Sequence, residues 1–307
     1  MFDVIIIGGG PAAVGAGVYV ARKKLKTLLL TEEFGGQSIV SADVQNWIGT
    51  KSLSGIDLAK NLEAHVRNYP EEVEIKMPEL ATKVMKNEDG FIVETDKGGS
   101  YQTKTVIVAS GARRRKLGIP GEKEFDGKGV AYCSTCDGPL FGGKDVAVVG
   151  GGNAGLEAVI DLLPYATKIY LLEYGDALRG DPVSQEQIKK SGKVDILLNA
   201  ETKQVQGDKF VTGLAYKDRV SNEEKTLPVG GVFVEIGSVP NSEFVKGLVE
   251  LNERGEVVID HKTSATSVSG IWAAGDVTDE MYKQNNISVG DAVKAALSAY
   301  QYLLSKK

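Results

Sequence analysis

The chain is narrowed most by a pattern it uses twice: a short apolar run, a glycine-rich turn, a helix-compatible stretch and a second apolar run. The copies lie about 140 residues apart. In the first, Val4–Ile7 is wholly apolar, as a parallel strand covered on both faces must be. Gly8, Gly10 and Ala13 follow, then a stretch suited to a helix up to about Arg22 and a second strand over Leu25–Leu30. Glu32 comes 19 residues after Ala13. Glycines at such a turn let a dinucleotide pyrophosphate approach a helix N-terminus, and the later acid meets a ribose hydroxyl. Alanine in the third position still allows helix and strand to come close.

The second copy runs from Val146–Val149 through Gly150, Gly152, Asn153, Ala154 and Gly155. A helix is expected up to Pro164 and a strand over Lys168–Leu172, with Glu173 placed 18 residues after Gly155. One such motif is weak evidence; two with correctly spaced acids predict an α/β protein with two Rossmann-like three-layer dinucleotide-binding domains. Between them, a helix is expected over 56–69 and strands over 91–95 and 101–108. After the second copy come strand-like runs at Val257–Asp260 and Gly270–Ala274 and an alanine-rich helix from about Gly290 to Leu304. That closing segment does not fit a third domain. It is expected to return and complete the first, giving one dinucleotide domain over 1–116 and 243–307 around a second inserted over 117–242.

Cys133 and Cys136 are the only cysteines in the 307 residues, and they stand two residues apart in the inserted part. A pair so spaced can alternate between dithiol and disulfide. Amides at a helix start would stabilise a thiolate there, whereas the adjacent Asp137 would oppose it. Asp137 reads instead as a proton donor to a departing thiolate, with capping of the turn before Gly138-Pro139 as the alternative.

Composition excludes several classes. The 41 acidic and 36 basic residues give a formal charge of −5 and are mixed along the chain, which argues against nucleic acid as the main partner. Two histidines and one thiol pair give no basis for a metal site. Neither a secretion signal nor a membrane span is read from the sequence, so a cytoplasmic location is expected. The Arg113–Arg115 run is compatible with a solvated linker or with phosphate contact.

With these residues in place, the chain resembles the low-molecular-weight thioredoxin reductase family along essentially its full length. The likeness rests on the first glycine motif, Gly35-Gly36-Gln37, Asn46-Trp47, Ser110-Gly111-Ala112, Pro120-Gly121-Glu122, Cys133–Gly138 and Gly275-Asp276-Val277. The second half is similar to the alkyl hydroperoxide reductase flavoprotein subunit, through Asp137–Phe141, Leu171-Leu172-Glu173, Asn199-Ala200 and Ile236–Asn241, which includes Gly237. The resemblance implies a homodimer that binds FAD and a nicotinamide cofactor, with an FAD domain over 1–116 and 243–307 split around an inserted pyridine-nucleotide domain over 117–242. It places Gly8, Gly10, Ala13, Glu32, Gly36, Gln37, Asn46, Gly275, Asp276, Lys283, Gln284 and Asn285 at FAD. It further implies that Cys136 faces the flavin, Cys133 attacks the partner's disulfide and Asp137 supplies the proton.

Two departures bear on specificity. NADPH-dependent relatives carry a His-Arg-Arg run where this chain has Glu173-Tyr174-Gly175, although Arg179 matches a later arginine. Near the flavin, Asn285-Asn286 replaces a small polar pair, and Asp291-Ala292 departs from a glycine-rich run. The leading expectation is an NADH-preferring disulfide reductase serving a thioredoxin-, glutaredoxin- or peroxiredoxin-system protein. The alternatives are an NADPH thioredoxin reductase, a ferredoxin- or flavin-fed reductase with a vestigial nicotinamide site, and a flavin sensor or electron-transfer module without turnover.

Overall fold

The structure is a computed structural model and describes residues 1–41 and 43–306. The chain begins β1 (Phe2–Ile7), α1 (Pro11–Arg22), β2 (Thr27–Leu30), α2 (Gly55–Arg67) and β3 (Val73–Lys76). It continues through β4 (Ala81–Lys86), β5 (Phe91–Thr95), β6 (Ser100–Val108) and β7 (Ala112–Arg114). Next come β8 (Val130–Ala131), the single turn α3 (Ser134–Asp137), β9 (Asp145–Val149), α4 (Asn153–Leu162), β10 (Lys168–Leu172), α5 (Pro182–Lys190) and β11 (Val194–Leu197). The hairpin strands β12 (Ala200–Gly207), β13 (Val211–Asp218) and β14 (Glu224–Leu227) precede β15 (Gly231–Val234) and β16 (Ser238–Pro240). The chain closes with β17 (Ile271–Ala273) and α6 (Asn285–Ser305).

These elements form two compact units. One comprises Met1–Val40, Gln45–Arg113 and Val239–Lys307; the other comprises Ser41–Val44 and Arg114–Ser238. The first unit is built on a sheet of order β3-β2-β1-β6-β5-β4, parallel from β3 to β6 and antiparallel beyond. One flank of β6 is shared: its first half pairs with β5 and its second half with β17, which aligns Ile271 with Val106 and Ala273 with Val108. α1 packs against both α2 and α6. On the sheet, Ile5, Ile7, Leu28 and Leu30 join Val106, Val245, Val257 and Ile271 in one core cluster.

The second unit has a fully parallel sheet of order β11-β10-β9-β15-β8. One face carries α4, whose Leu156, Val159 and Leu162 are buried with Val146, Val148 and Phe233. The antiparallel sheet β12-β13-β14 covers the other face, where Leu214, Tyr216 and Leu227 share a core with Ala147, Val149 and Val232. Each unit is therefore a layered α/β domain in which the strand before the glycine turn lies where the sheet order reverses, between β2 and β6 in one and between β10 and β15 in the other. That position is where α/β sheets hold their ligands.

Two expectations change. Val257–Asp260 is not a strand: Val257 donates to Val277 O at 2.9 Å and Asp279 donates to Val257 O at 3.1 Å, so the segment forms isolated bridges to a neighbouring loop. The last helix begins at Asn285, five residues before the expected Gly290, with Gln284 as an extended N-cap that makes no side-chain capping bond.

Candidate redox and dinucleotide sites

The two glycine turns follow one physical plan. Gly8 has φ +133° and Gly150 has φ +123°, conformations that favour glycine. A Cβ at Gly8 would stand 2.1 Å from Ala109 O, and one at Gly150 would stand 2.3 Å from Glu235 O. The first glycine of each motif therefore lets the turn pass over the end of the neighbouring strand. Gly10 and Gly152 are extended N-caps of α1 and α4 without side-chain capping bonds, so the first helical amides remain available to an anion. A Cβ on Gly152 would meet nothing within 4 Å, whereas one on Gly155 would stand 1.7 Å from Gly150 O. Ala13 fills the third position of the first motif and is fully buried.

The first unit gathers residues from both ends of the chain around its motif. A Cβ on Gly36 would lie 3.2 Å from Gly10 Cα, and one on Gly275 would lie 3.1 Å from Ala12 Cβ. Gln37 Nε2 donates to Asp276 Oδ2 at 3.1 Å, and Asn46 Nδ2 donates to Gln284 Oε1 at 3.2 Å. Asn285 Nδ2 donates to Ser38 Oγ at 2.8 Å, and Asn286 Nδ2 donates to Asn46 O at 2.6 Å. The unusual Asn285-Asn286 pair thus ties the start of α6 to the loop before α2. Glu32 is exposed after β2. Lys283 is engaged elsewhere, donating to Thr278 O and pairing with Glu256 at 3.0 Å.

In the second unit, Glu173 is buried, and both its oxygens accept backbone amides, Oε2 from Gly151 and Oε1 from Gly175, each at 2.7 Å. Asn153 Oδ1 accepts the Asp181 amide at 2.8 Å, while Ala154 is exposed on the first turn of α4. Arg179 donates its amide to Gly151 O at 2.9 Å and is exposed. Gly237 has φ +94° and accepts the Arg115 amide at 3.0 Å. A feature outside the sequence motifs lies beside Glu173: the guanidinium of Arg219 stands 3.9 Å from the ring centre of Tyr174 and donates to Tyr174 O at 2.9 Å. Arg219 is thus held on the residue that follows the acid.

Cys133 and Cys136 are joined as a disulfide with Cα atoms 5.3 Å apart. Cys133 is the N-cap of α3, and its Sγ accepts the Cys136 amide at 3.2 Å. Asp161 on α4 anchors the turn, accepting from Ser134 Oγ at 2.9 Å and Thr135 Oγ1 at 3.0 Å. Upstream, Glu122 is buried and accepts from Leu117 N at 2.9 Å, Gly118 N at 2.7 Å and Tyr132 Oη at 3.0 Å. Burial pushes the Asp137 carboxyl up to about 6; Arg114 opposes that shift and Asp126 adds to it. The same environment contains Glu235, which no motif singled out. Burial pushes it up to about 7, with Arg114 and the Ser134 amide opposing and Asp161 and Asp137 adding. Its only sequence signal is an acid directly after the four buried residues Gly231–Val234.

Among the described residues, no cluster of three or more His, Cys, Asp or Glu is arranged to hold a metal, and no helix is long and apolar enough to cross a membrane.

Residues 2–296 match the family described as pyridine nucleotide-disulphide oxidoreductase. The chain belongs to that family. It is 46% identical over 303 residues to a protein named NADH dehydrogenase from Bacillus subtilis (strain 168), covering 99% of this chain and 59% of the relative. It is 46% identical over 307 residues to the F subunit of alkyl hydroperoxide reductase in Pseudomonas aeruginosa, covering 99% of this chain and 58% of that protein. The chain therefore spans less than two thirds of these relatives. Thioredoxin reductase from Streptococcus pyogenes MGAS5005 superposes with a TM-score of 0.91 at 33% identity, with 99% of both chains covered. Thioredoxin reductase from Giardia duodenalis superposes with a TM-score of 0.90 at 30% identity, again with 99% of both covered. Within the family, the chain is thus of the thioredoxin reductase type, with close sequence likeness to the F subunit of alkyl hydroperoxide reductase.

Proposed function

We propose that this chain is an FAD-dependent disulfide reductase that passes electrons from NADH through Cys133–Cys136 to a thioredoxin-, glutaredoxin- or peroxiredoxin-type protein disulfide. The observation that carries this reading is the Cys133–Cys136 disulfide on a one-turn helix that ends at a half-buried Asp137, whose carboxyl is pushed up to about 6, in a family member with two dinucleotide folds. When bound, the cofactors would supply hydride transfer and its conversion into electrons for a disulfide.

FAD would be held in the first unit by Gly8, Gly10, Ala13, Glu32, Gly36, Gln37, Asn46, Gly275, Asp276, Lys283, Gln284 and Asn285. The bare N-cap at Gly10, the facing Gly36 and the converging Gln37–Asp276 pair support that assignment. The nicotinamide cofactor would be held in the second unit by Gly150, Gly152, Asn153, Ala154, Gly155, Glu173, Arg179 and Gly237. The buried Glu173 carboxylate favours a ribose hydroxyl over a phosphate. Arg179, with Arg219 on Tyr174, favours the second reading, NADPH as donor.

On the chain itself, Cys136 takes the electrons and Cys133 is the attacking thiol. The Cys136 amide, already bonded to Cys133 Sγ, stabilises negative charge there. Attack of the Cys133 thiolate on the partner's disulfide forms a mixed disulfide and releases one partner sulfur. Cys136 then attacks Cys133 Sγ, restores the enzyme disulfide and frees the second partner sulfur. The partner gains two electrons and two protons, and Asp137 donates to a departing thiolate. We place the enzyme in the cytoplasm as a homodimer.

Anaerobic stopped-flow reduction of the FAD-loaded protein by NADH or NADPH, followed by mixing with oxidised thioredoxin, glutaredoxin and peroxiredoxin proteins, tests this reading. Rapid flavin reduction by NADH and thiol production in one partner are expected. Faster flavin reduction by NADPH would replace the donor, and failure with every disulfide partner would overturn the reductase.

A further inference from the structure

Asp161 lies in the last turn of α4, directly before the buried Leu162. Leu156, Val159 and Leu162 give that helix its buried face, and α4 also packs on α3. A carboxylate near a helix C-terminus meets the negative end of the helix dipole, so helix stability does not account for an acid here. Its partners do. Asp161 Oδ2 accepts from Ser134 Oγ at 2.9 Å and from Thr135 Oγ1 at 3.0 Å. These are the two residues between the cysteines, so one carboxylate oxygen takes both side-chain hydroxyls that the motif contains.

The turn closes without these bonds. The Asp137 amide donates to Cys133 O at 3.0 Å, and the Gly138 amide donates to Ser134 O. What the bonds to Asp161 decide is where two protons point. A hydroxyl has one O–H to donate, and here both are directed at Asp161 and away from the sulfurs. Cys133 Sγ accepts from the Cys136 amide, at 3.2 Å. Every further donor would stabilise a thiolate there, and a pair whose reduced form is stabilised is a stronger oxidant. Withholding two donors works the other way. The charge of Asp161 acts in the same direction, weakened by solvent because Thr135 is exposed.

We propose that Asp161 sets the redox poise of the Cys133–Cys136 pair, keeping it reducing by holding the Ser134 and Thr135 hydroxyls away from the sulfurs. When a dithiol reduces the pair, two electrons break the Cys133–Cys136 bond and the dithiol closes to its own disulfide. Of its two protons, one goes to a sulfur of the pair. The other goes to the second sulfur or to solvent, and in the latter case a thiolate remains. Asp161 disfavours that thiolate and so favours return of the electrons to an acceptor disulfide. It is a positioning residue that acts through two side chains; the bond-making atoms are the sulfurs.

The role rests on the pair being redox-active, as proposed above, but not on which donor or partner it serves. The full-length, FAD-loaded protein is equilibrated anaerobically at pH 7 with dithiothreitol redox buffers, acid-quenched, alkylated and weighed. D161A frees both hydroxyls and should raise the equilibrium constant for reduction of the pair about 10-fold, or about 30 mV for this two-electron couple. D161N keeps an acceptor oxygen without the charge and should raise it only about 2-fold. S134A/T135A leaves no hydroxyl to release, so its constant should stay within about 2-fold of wild type, and adding D161A to it should change the constant by about 2-fold only. If D161A folds poorly, D161L fills the same place without an acceptor and gives the same comparison. A D161A constant equal to wild type, or shifted toward a stronger reductant, overturns the proposal. So does an S134A/T135A constant that matches D161A, because either change would then merely untie α3 from α4. This equilibrium involves neither a nicotinamide nor a partner protein, so its outcome is separate from whether the chain reduces any protein disulfide.

Discussion

Glu173 accepts the Gly151 amide at 2.7 Å, so the acid at the end of β10 braces the glycine turn at the end of β9. Its other oxygen accepts Gly175 N–H at the same distance. The acid thus holds the glycine turn in place, and under the proposed function a 2′-phosphate would have to approach this carboxyl group. E173A is expected to raise the KM for NADH about 10-fold and to shift the NADPH-to-NADH ratio of kcat/KM toward NADPH by about 5-fold or more. Steady-state kinetics with both donors checks this; an unchanged ratio removes Glu173 from donor choice.

Serine substitutions separate the two sulfurs. C133S and C136S should each retain flavin reduction by the external donor and lose multiple-turnover reduction of a protein disulfide. Trapping with a partner that lacks its resolving cysteine should capture C136S, through Cys133, and not C133S. Capture by C133S instead would exchange the two roles.

Asp137 has a folded value near 6, raised by burial, so it still holds a proton through the mildly acidic range. D137N should bind FAD and accept electrons normally but slow the thiol–disulfide stages by about 100-fold. The wild-type rate of those stages should fall as pH rises through about 6, and D137N should lack that limb. Matching pH profiles in the two proteins would leave Asp137 with a structural role only.

The raised acids also set how stability varies with pH. Glu235 ordinarily titrates at 4.5 and is pushed up to about 7, so the folded state favours its proton. Its contribution is fully present below the unfolded value and is lost as pH rises through about 7, a change of about 3 kcal/mol. E235Q is neutral at every pH and should gain stability relative to wild type between pH 5 and 8. Urea unfolding of the two oxidised proteins at both pH values tests the sign.

Glu122 is held by three donors, among them Tyr132, the neighbour of Cys133. Removing the carboxylate strands those buried donors. E122A should therefore cost about 2–4 kcal/mol, whereas Y132F, which removes one bond, should cost about 1 kcal/mol. Equal losses in chemical unfolding would mean that the two amides find other acceptors.

The two glycine turns and the thiol pair were legible because each depends on nearby backbone: Gly8 and Gly150 need their conformations whatever surrounds them. The start of α6 was not, because Gln284 gives no capping signal. The helix begins there through bonds from Asn285 and Asn286 to Ser38 and Asn46, residues far away in the chain. Val257–Asp260 has a strand's composition but meets a loop, Val277–Asp279, in place of a sheet edge. Glu235 was hidden for a related reason. Its raised value reflects burial, with Arg114, Ser134, Asp137 and Asp161 acting on it from three separate elements, and no local spacing encodes that combination.

The divided flank of β6 carries a consequence for synthesis on the ribosome. Val106–Val108 emerge early, yet their partners Ile271–Ala273 are translated only after the whole Arg114–Ser238 stretch. During that interval the nascent first unit presents an unpaired apolar strand edge, a template for wrong pairing with another chain. Ribosome stalling or premature termination between Ser238 and Ile271 should therefore yield aggregation-prone fragments, and chaperone capture should fall once β17 has cleared the exit tunnel.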